Sequence, residues 1–134
     1  ETVRIIYEST KKGTFQVQKN LIRAYRVTIK GEEDLVDRIA KIPASIQTYG
    51  HGRGSTIRSG KEFIFRVKNS VVAESLKDGE RGRPVCYFLA GFFAGMADAF
   101  AELRQPATTY SCVETKCIAS GAPYCEFKLV PQKL

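Results

Sequence analysis

Three cysteines and one glutamate fall within fourteen residues of this chain, at Cys112, Glu114, Cys117 and Cys125. The Gly-Ala-Pro stretch at 121–123 lies just before the last cysteine and predicts a tight turn between two β-strands. Thiolate and carboxylate groups are ligands that a tetrahedral zinc ion accepts. This segment therefore predicts a small domain that one metal ion holds together.

The residues alone leave the fourth ligand open. Side chains alternate along a strand, so Glu114 and Cys117 converge only if the strand ends in a bulge or turn near Lys116. The fourth ligand is then either Cys86, which lies in an apolar segment, or Cys112, which has the same strand parity as Glu114. Four cysteines also permit three disulfide pairings, although a disulfide does not account for the glutamate.

Length and composition indicate one globular domain. The chain has 134 residues, of which 43% are hydrophobic and 26% charged, enough for a single core. Because it opens with Glu1, we expect further residues or another domain before it. The most apolar stretch, 84–97, is shorter than the roughly 20 residues that cross a bilayer, and no signal-peptide pattern is present. These features predict a cytoplasmic protein with no membrane segment.

The net charge of +7 is concentrated near the start of the chain, where residues 1–30 hold seven basic and two acidic side chains. A basic helix can contact nucleic acid or an anionic membrane. No zinc-finger, helix-turn-helix or RNA-binding signature accompanies these charges. We therefore expect contact with nucleic acid only through a domain outside this chain.

Apolar residues recur at steps of three and four from Val3 to Ala24, which predicts a long amphipathic helix. Its apolar stripe fits either a dimer contact or the outer helix of the core. Gly13 interrupts the stripe and predicts a close contact with another backbone. Acidic residues at 32–34 begin a second helix, which Pro43 bends or ends.

The remaining segments predict two strand pairs and one buried helix. Residues 55–59 and 62–67 alternate as a hairpin, 84–103 form an apolar helix opened by proline, and 108–118 and 124–129 form the cysteine hairpin. Small residues in the third helix, among them Gly91 and Gly95, allow another element to approach closely. The order α-α-β-β-α-β-β describes an α+β domain with a small antiparallel sheet.

Two stretches, Arg-Pro-Val-Cys-Tyr-Phe-Leu-Ala-Gly-Phe-Phe-Ala-Gly at 83–95 and Glu-Thr-Lys-Cys-Ile-Ala-Ser-Gly-Ala-Pro-Tyr-Cys-Glu-Phe at 114–127, resemble the V4R (4-vinyl reductase) domain family. That family includes sensor domains of bacterial phenol- and xylene-responsive activators and a factor linked to bacteriochlorophyll synthesis. It shares its fold with the TRAPP tethering subunits. The resemblance is specific over 83–129 and looser over the first 75 residues, and it implies one V4R-like ligand-binding domain over 1–134.

The resemblance also implies the metal ligands and the oligomeric state. The zinc ligands of the family fall on Cys86, Glu114, Cys117 and Cys125, which leaves Cys112 as an extra thiol. Family members are typically dimers, and the helix at 1–26 looks like one of the elements that pair. We therefore expect a homodimer that contains zinc.

The ligand pocket differs from that of the aromatic-sensing relatives. The chain has no tryptophan, its one histidine, His51, lies in a glycine-rich loop, and Val71 stands where a larger aromatic residue is common. An apolar hydrocarbon, lipid or tetrapyrrole fits this lining better than a phenol. The candidate pocket residues are Phe63, Phe65, Val71, Tyr87, Phe88, Phe92 and Tyr110, and ordinary core packing is the alternative for each aromatic ring.

These observations predict a zinc-containing small-molecule-binding domain that acts as a sensor or carrier, as in the sensory part of a transcription regulator. The alternatives are a TRAPP-like dimeric interaction module and an accessory subunit in tetrapyrrole modification. Four protein ligands close the coordination shell of zinc, and no nucleotide-binding glycine motif is present. We therefore expect no enzymatic activity, with a vinyl reductase-associated factor as the alternative.

Overall fold

Helices and a small antiparallel sheet form an α+β fold, as predicted. The computed structural model describes residues 2–46, 52–70, 74, 86–104 and 108–132. The helices are α1 (Thr2–Ala24), α2 (Glu32–Ala40), α3 (Ile42–Ser45) and α4 (Tyr87–Ala101). The strands are β1 (Arg53–Arg58), β2 (Phe63–Lys68), β3 (Thr109–Lys116) and β4 (Cys125–Gln132), with a short 3-10 helix at Ile118–Ser120. The sheet has the order β1-β2-β4-β3, and every neighbouring pair is antiparallel.

The central element is α4, which packs between the sheet and α1. Eleven of its 15 residues are buried, because its sequence is apolar on every side, as expected of a helix that is surrounded by protein. It begins at Tyr87 rather than at Pro84, which lies outside the described residues. Cys86 is consequently the N-cap residue and does not lie in the first helical turn.

Two glycines allow α1 to lie directly on α4. A Cβ atom on Gly91 would lie 2.7 Å from the carbonyl oxygen of Tyr7, and one on Gly95 would lie 2.5 Å from that of Lys11. The predicted close approach of the third helix is confirmed. The same expectation for Gly13 is wrong, because no atom of the described residues lies within 4 Å of a Cβ placed there; this glycine lines an open groove between α1 and α4.

The second helix begins and ends where its sequence predicts. Asp34 in its first turn accepts a 2.8 Å hydrogen bond from the backbone N–H of Lys30, and acidic groups are favoured at this end of the helix dipole. The helix ends at Ala40, and Pro43 occupies the start of α3, where proline costs no hydrogen bond.

Aromatic rings fill the space between the sheet and α4. Phe63, Phe65 and Phe127 project from adjacent strands and are fully buried. The ring of Phe93 on α4 packs edge-on against Phe65 and against Phe127, with centroid distances of 5.1 Å in both pairs. The predicted buried aromatic face of β2 is confirmed. This core fixes the position of α4 relative to the hairpin that carries the cysteines.

Side chains of the helices cover the outer edge of β3. The backbone N–H of Tyr110 donates a 2.7 Å hydrogen bond to Asp98, and its carbonyl accepts a 2.6 Å bond from Lys11 Nζ. The N–H of Cys112 donates a 3.1 Å bond to the hydroxyl of Tyr7. Unpaired edge strands invite pairing with other chains, so these contacts protect the edge and attach α1 to the sheet.

Within the described ranges, no helix is both long and apolar enough to cross a membrane. Two of the sequence-based candidates, Val71 and His51, lie outside the described residues.

Candidate metal centre and adjoining cavity

Cys86, Glu114, Cys117 and Cys125 lie together although they come from four places in the fold: the start of α4, β3, the start of the 3-10 helix and the start of β4. One ligand atom from each, three sulfur atoms and a carboxylate oxygen, lies within 4.8 Å of the other three. The Sγ atom of Cys125 is 3.7 Å from that of Cys86 and 3.9 Å from that of Cys117. None of the four cysteines forms a disulfide, so the structure brings their sulfur atoms together as separate thiols.

A strand irregularity and a tight turn bring these residues to one place. The register of β3 against β4 shifts between Glu114 and Lys116, and this irregularity is the bulge that the spacing required. Cys117 then caps the 3-10 helix, and Gly121 reverses the chain with a φ of 96°, a conformation that favours glycine. Cys125 follows as the first residue of β4.

The carboxylate of Glu114 has one oxygen engaged and one available. Oε1 accepts a 3.0 Å hydrogen bond from the backbone N–H of Cys86. Oε2 is buried, and no described residue gives it a hydrogen bond of ordinary geometry, although the thiols of the three cysteines lie close enough to interact with the carboxylate. A buried carboxylate oxygen without such a bond is costly, and a cation among the neighbouring thiols would satisfy it. The residue set therefore fits a metal ion by an observation independent of the sequence motif.

The sulfur separations also fit zinc. Four ligands in a tetrahedron with Zn–S bonds of about 2.3 Å place two sulfur atoms about 3.8 Å apart. The two S–S distances in this cluster, 3.7 and 3.9 Å, lie on either side of that value. The backbone N–H of Ile118 lies 3.4 Å from the Sγ atom of Cys125, which is an arrangement that stabilises a thiolate.

The surroundings shift the pKa values of the cluster. Burial raises the pKa of the Glu114 carboxyl, and the Cys86 N–H and the neighbouring thiols offset part of that rise. The hydrogen bond between Cys86 and Cys125 lowers the pKa of Cys125, aided by the N–H of Ile118, and the same bond together with burial raises the pKa of Cys86. A metal ion that binds three thiolates here must displace protons, so its binding is coupled to pH.

The competing ligand, Cys112, is separate from this cluster. Its thiol is buried, and burial followed by the charge of Glu114 raises its pKa. It lines a cavity of about 510 Å³ instead. We name this space the α1–β3 cavity. Its lining consists of Val3, Arg4, Tyr7, Tyr87, Ala90, Ser111, Cys112, Val113 and Glu114.

The α1–β3 cavity adjoins the cluster through two residues. Glu114 belongs to both. Tyr87 lines the cavity and directly follows Cys86 at the start of α4. A change in the geometry of the cluster therefore reaches the cavity wall without any intervening residue.

The structure distributes the predicted pocket residues over three places. Tyr87 lines the α1–β3 cavity, whereas Phe88 and Phe92 line a separate groove on the outer side of α1 and α4. Phe63, Phe65 and Tyr110 lie in the core, where the ring of Phe63 contacts both of the others. Val71 lies outside the described residues. The predicted pocket residues that the structure describes therefore do not line one common cavity.

Sequence reasoning missed several residues of the site. Ser70 is buried, and its hydroxyl lies 3.5 Å from the sulfur of Cys86. β2 ends at Lys68, and the next residue, Asn69, has a positive φ of 58°. This asparagine is the local sequence signal for the turn that precedes Ser70. Tyr7 and Arg4 lie at least 80 positions from the residues of α4 and β3 that line the cavity with them, and no sequence pattern indicates such a proximity.

The family model of the V4R domain matches residues 63–131. The chain belongs to the V4R family. The match covers β2, α4 and the cysteine hairpin, and therefore all four residues of the candidate metal cluster. No curated protein sequence shows significant similarity to the chain.

Solved structures with low sequence identity share the fold. A trafficking protein particle complex subunit 3 from Naegleria fowleri, covalently bound to palmitic acid, has 10% identity and a TM-score of 0.71, and the match covers 98% of this chain and 81% of that one. The phenol-responsive sensory domain of the transcription activator PoxR with phenol has 15% identity and a TM-score of 0.72 over 95% of this chain. This chain spans 63% of that sensory domain.

A vinyl-4-reductase family protein from Methanocaldococcus jannaschii has 14% identity and a TM-score of 0.62, and the match covers 96% of this chain and 68% of that one. Together these neighbours confirm the TRAPP/V4R-like fold that the sequence predicted.

Proposed function

We propose that this chain is a zinc-containing domain that binds an apolar small molecule in the α1–β3 cavity and acts as a sensor or carrier. The observation that carries the proposal is the sharing of Glu114 between the metal cluster and the cavity. A volume of about 510 Å³ lies within the range of small-molecule sites, which are concave and mostly apolar.

The neighbours support binding of a small molecule. One structural neighbour holds phenol in a sensory domain, and another holds palmitic acid. Both are ligands with an apolar body. By this analogy the chain serves as the sensory part of a regulator, and the regulated output lies in another domain.

Zinc in this proposal is structural. When bound, it would join Cys86 at the start of α4 to Glu114, Cys117 and Cys125 of the hairpin, and structural zinc of this kind contributes folding energy. The wall of the cavity at Tyr87 would then have a fixed position. Four protein ligands also leave no open position for a reacting water, which favours binding over catalysis.

We also propose that all 134 residues form one domain. The family model matches only 63–131, but the contacts of α1 with Gly91 and Gly95 place the first helix on the same core. The α1–β3 cavity needs both parts, because Val3, Arg4 and Tyr7 line it from α1.

Native mass spectrometry of the zinc-loaded chain tests the function, with Val3→Trp as the variant. Val3 on α1 is 39% exposed and lines the α1–β3 cavity, so an indole there narrows the entrance without disturbing the core. Ile5→Trp on the same helix, at a residue 58% exposed and outside the cavity lining, is the matched control. We expect added decanol to stay bound to wild type and to the control and to be lost in the Val3 variant alone. Equal retention in both variants would place the ligand elsewhere.

A second proposal, pairing with another copy of this chain, has its own observation. The groove between α1 and α4 is lined by Thr10, Gly13, Thr14, Val17, Gln18, Leu21, Phe88, Phe92 and Met96. Within it Val17 is 61% exposed, Leu21 41% and Phe88 40%. The part of this groove on α1 runs from Thr10 to Leu21, and burial of an exposed apolar face is a common basis of homodimers.

Light scattering of a Val17→Asp, Leu21→Asp variant tests the pairing. We expect a monomer, because two charges in an apolar interface lose solvation without a partner. Tyr25→Asp, at an exposed residue outside the groove, should leave the mass of the dimer unchanged. A wild-type chain that is monomeric at all concentrations contradicts the proposal.

A further inference from the structure

The α1–β3 cavity has exposed lining residues at one end, among them the charged Arg4, and buried apolar residues at the other. At its mouth Val3 and Val113 are exposed, and so is Arg4. At its floor Ala90 and Cys112 are buried. A ligand that matches this gradient has one polar end at the mouth and an apolar body at the floor.

Arg4 is the one cation among the described residues that line this cavity, and it forms no ion pair with any described residue. The other charged lining residue, Glu114, accepts a hydrogen bond from the Cys86 N–H through Oε1 and lies among the thiols of the cluster, and no ion pair joins it to Arg4. A guanidinium group without a partner can pair with a carboxylate through two parallel hydrogen bonds.

The edge of β3 supplies a second polar contact. The N–H groups of Tyr110 and Cys112 both point away from β4, toward Asp98 and Tyr7. Every second residue of an antiparallel strand has this orientation, so the N–H of Glu114 has the same direction. Glu114 lines the cavity, and its N–H is the next donor along this edge.

We propose that the ligand of the α1–β3 cavity is a single-chain carboxylate amphiphile, of the medium-chain fatty acid type. Its carboxylate pairs with Arg4 at the mouth, and its hydrocarbon chain lies along Tyr87 and Ala90 toward the floor. This inference rests on the proposed function and adds the chemical class of the ligand.

Electrostatics and desolvation both favour this orientation. The anion stays at the mouth, where water reaches it, so the cost of burying a charge is avoided. Residues 1–30 carry seven basic and two acidic side chains, which attract an anion toward α1. The hydrocarbon chain supplies the apolar burial, and burial drives binding in such sites.

Isothermal titration of the zinc-loaded full chain with decanoate and with 1-decanol tests the inference. The two probes have the same chain length and differ in charge. We expect decanoate to bind about five- to tenfold more tightly than decanol at low salt. Arg4→Gln should remove this difference, Arg4→Lys should keep most of it, and Arg23→Gln on the same helix, outside the cavity, should leave it intact.

The results separate the carboxylate inference from the proposed binding function. If decanol binds as tightly as decanoate, or if Arg4→Gln and Arg23→Gln have the same effect, the carboxylate inference is overturned while the binding function stands. If neither probe binds the wild-type chain, both the inference and the proposed function are overturned. A difference between probes that shrinks between 50 mM and about 500 mM salt supports the pairing with Arg4, because exposed charges are screened.

Discussion

The backbone N–H of Cys86 donates a 3.0 Å hydrogen bond to Glu114 Oε1, across 28 residues of sequence. This bond leaves the second carboxylate oxygen buried beside three thiols and without a hydrogen bond of ordinary geometry. The bond therefore links the start of α4 directly to the cysteine hairpin. Hydrogen bonds of this kind orient the ligands of a structural metal site.

Replacement of the proposed ligands should abolish metal binding. We expect one zinc ion per wild-type chain. In Glu114→Gln and in Cys125→Ser the zinc affinity should fall by more than about 100-fold, because loss of a group that only hydrogen-bonds to a metal ligand already costs about 10- to 100-fold. Metal analysis after dialysis against a weak chelator measures this. Cys112→Ser is the matched control, because Cys112 lies outside the cluster. Wild-type zinc content in all three variants would refute the ligand assignment.

Metal removal should loosen the hairpin and the start of α4 together. At a free zinc concentration 100 times Kd, binding stabilises the folded chain by about 2.7 kcal/mol. A strong chelator, with a reductant to keep the thiols free, should therefore lower Tm, and hydrogen exchange should rise at Ile118 and Ala90, whose amides lie next to the cluster. An unchanged Tm with zinc fully removed would show that the cluster is not structural.

The sequence predicted the cluster because its chemistry is local. Three of the four ligands lie within twelve residues, and strand parity alone required the bulge that the register shows after Glu114. The choice of Cys86 over Cys112 was not decidable from spacing, because it depends on how α4 packs against the sheet. The family resemblance supplied it, and the geometry groups Cys86 with the other three.

The cavity was beyond sequence reasoning for a physical reason. Large aromatic residues suggested a pocket wall, yet Phe63 and Phe65 fill the core against Phe93. The cavity lies instead where small and mixed side chains meet, between α1 and the edge of β3. Contacts such as Tyr7 with Cys112, 105 positions apart, depend on the tertiary fold and leave no periodic signal.

Alanine at Gly91 or Gly95 should destabilise the fold, although alanine favours helices. The added Cβ would lie 2.7 Å from the Tyr7 carbonyl or 2.5 Å from that of Lys11, so the two helices must separate, at a cost of about 1–3 kcal/mol. Gly13→Ala is the matched control in open space and should stabilise by about 0.5–1 kcal/mol. Urea unfolding measures all three variants. Stabilisation by Gly91→Ala would contradict the close packing.

Asp98 should make stability depend on pH. Burial raises its pKa, and the Tyr110 N–H and Lys11 offset only part of this rise. Between the unfolded value of about 3.9 and the raised folded value, the folded chain holds more protons than the unfolded chain, so this contribution to stability falls as pH rises. Above the folded pKa the full cost of the charged, buried carboxylate is present, and below the unfolded pKa it is absent.

Urea unfolding of wild type and of Asp98→Asn from pH 3.5 to 7.5 measures this effect. We expect the free energy of unfolding of wild type to fall relative to that of the variant as pH rises through the window. Glu102→Gln, at a half-buried residue at the same helix end whose carboxylate pairs with Lys19, controls for the loss of a negative charge and of an ion pair. Parallel pH profiles for wild type and Asp98→Asn would contradict the assignment.

Tyr7→Phe should expose the edge of β3 at the cavity. The Cys112 N–H loses its 3.1 Å acceptor, and a partly buried donor left without a partner costs about 1–3 kcal/mol. Urea unfolding should show a lower midpoint with an unchanged slope, and amide exchange at Cys112 should become faster. Tyr25 lies just after the end of α1 and is 78% exposed. Tyr25→Phe should therefore change neither the unfolding midpoint nor the exchange rate at Cys112. Slow exchange at Cys112 in the Tyr7→Phe variant would mean that another group protects this edge, and that α1 is not the element that closes the cavity against β3.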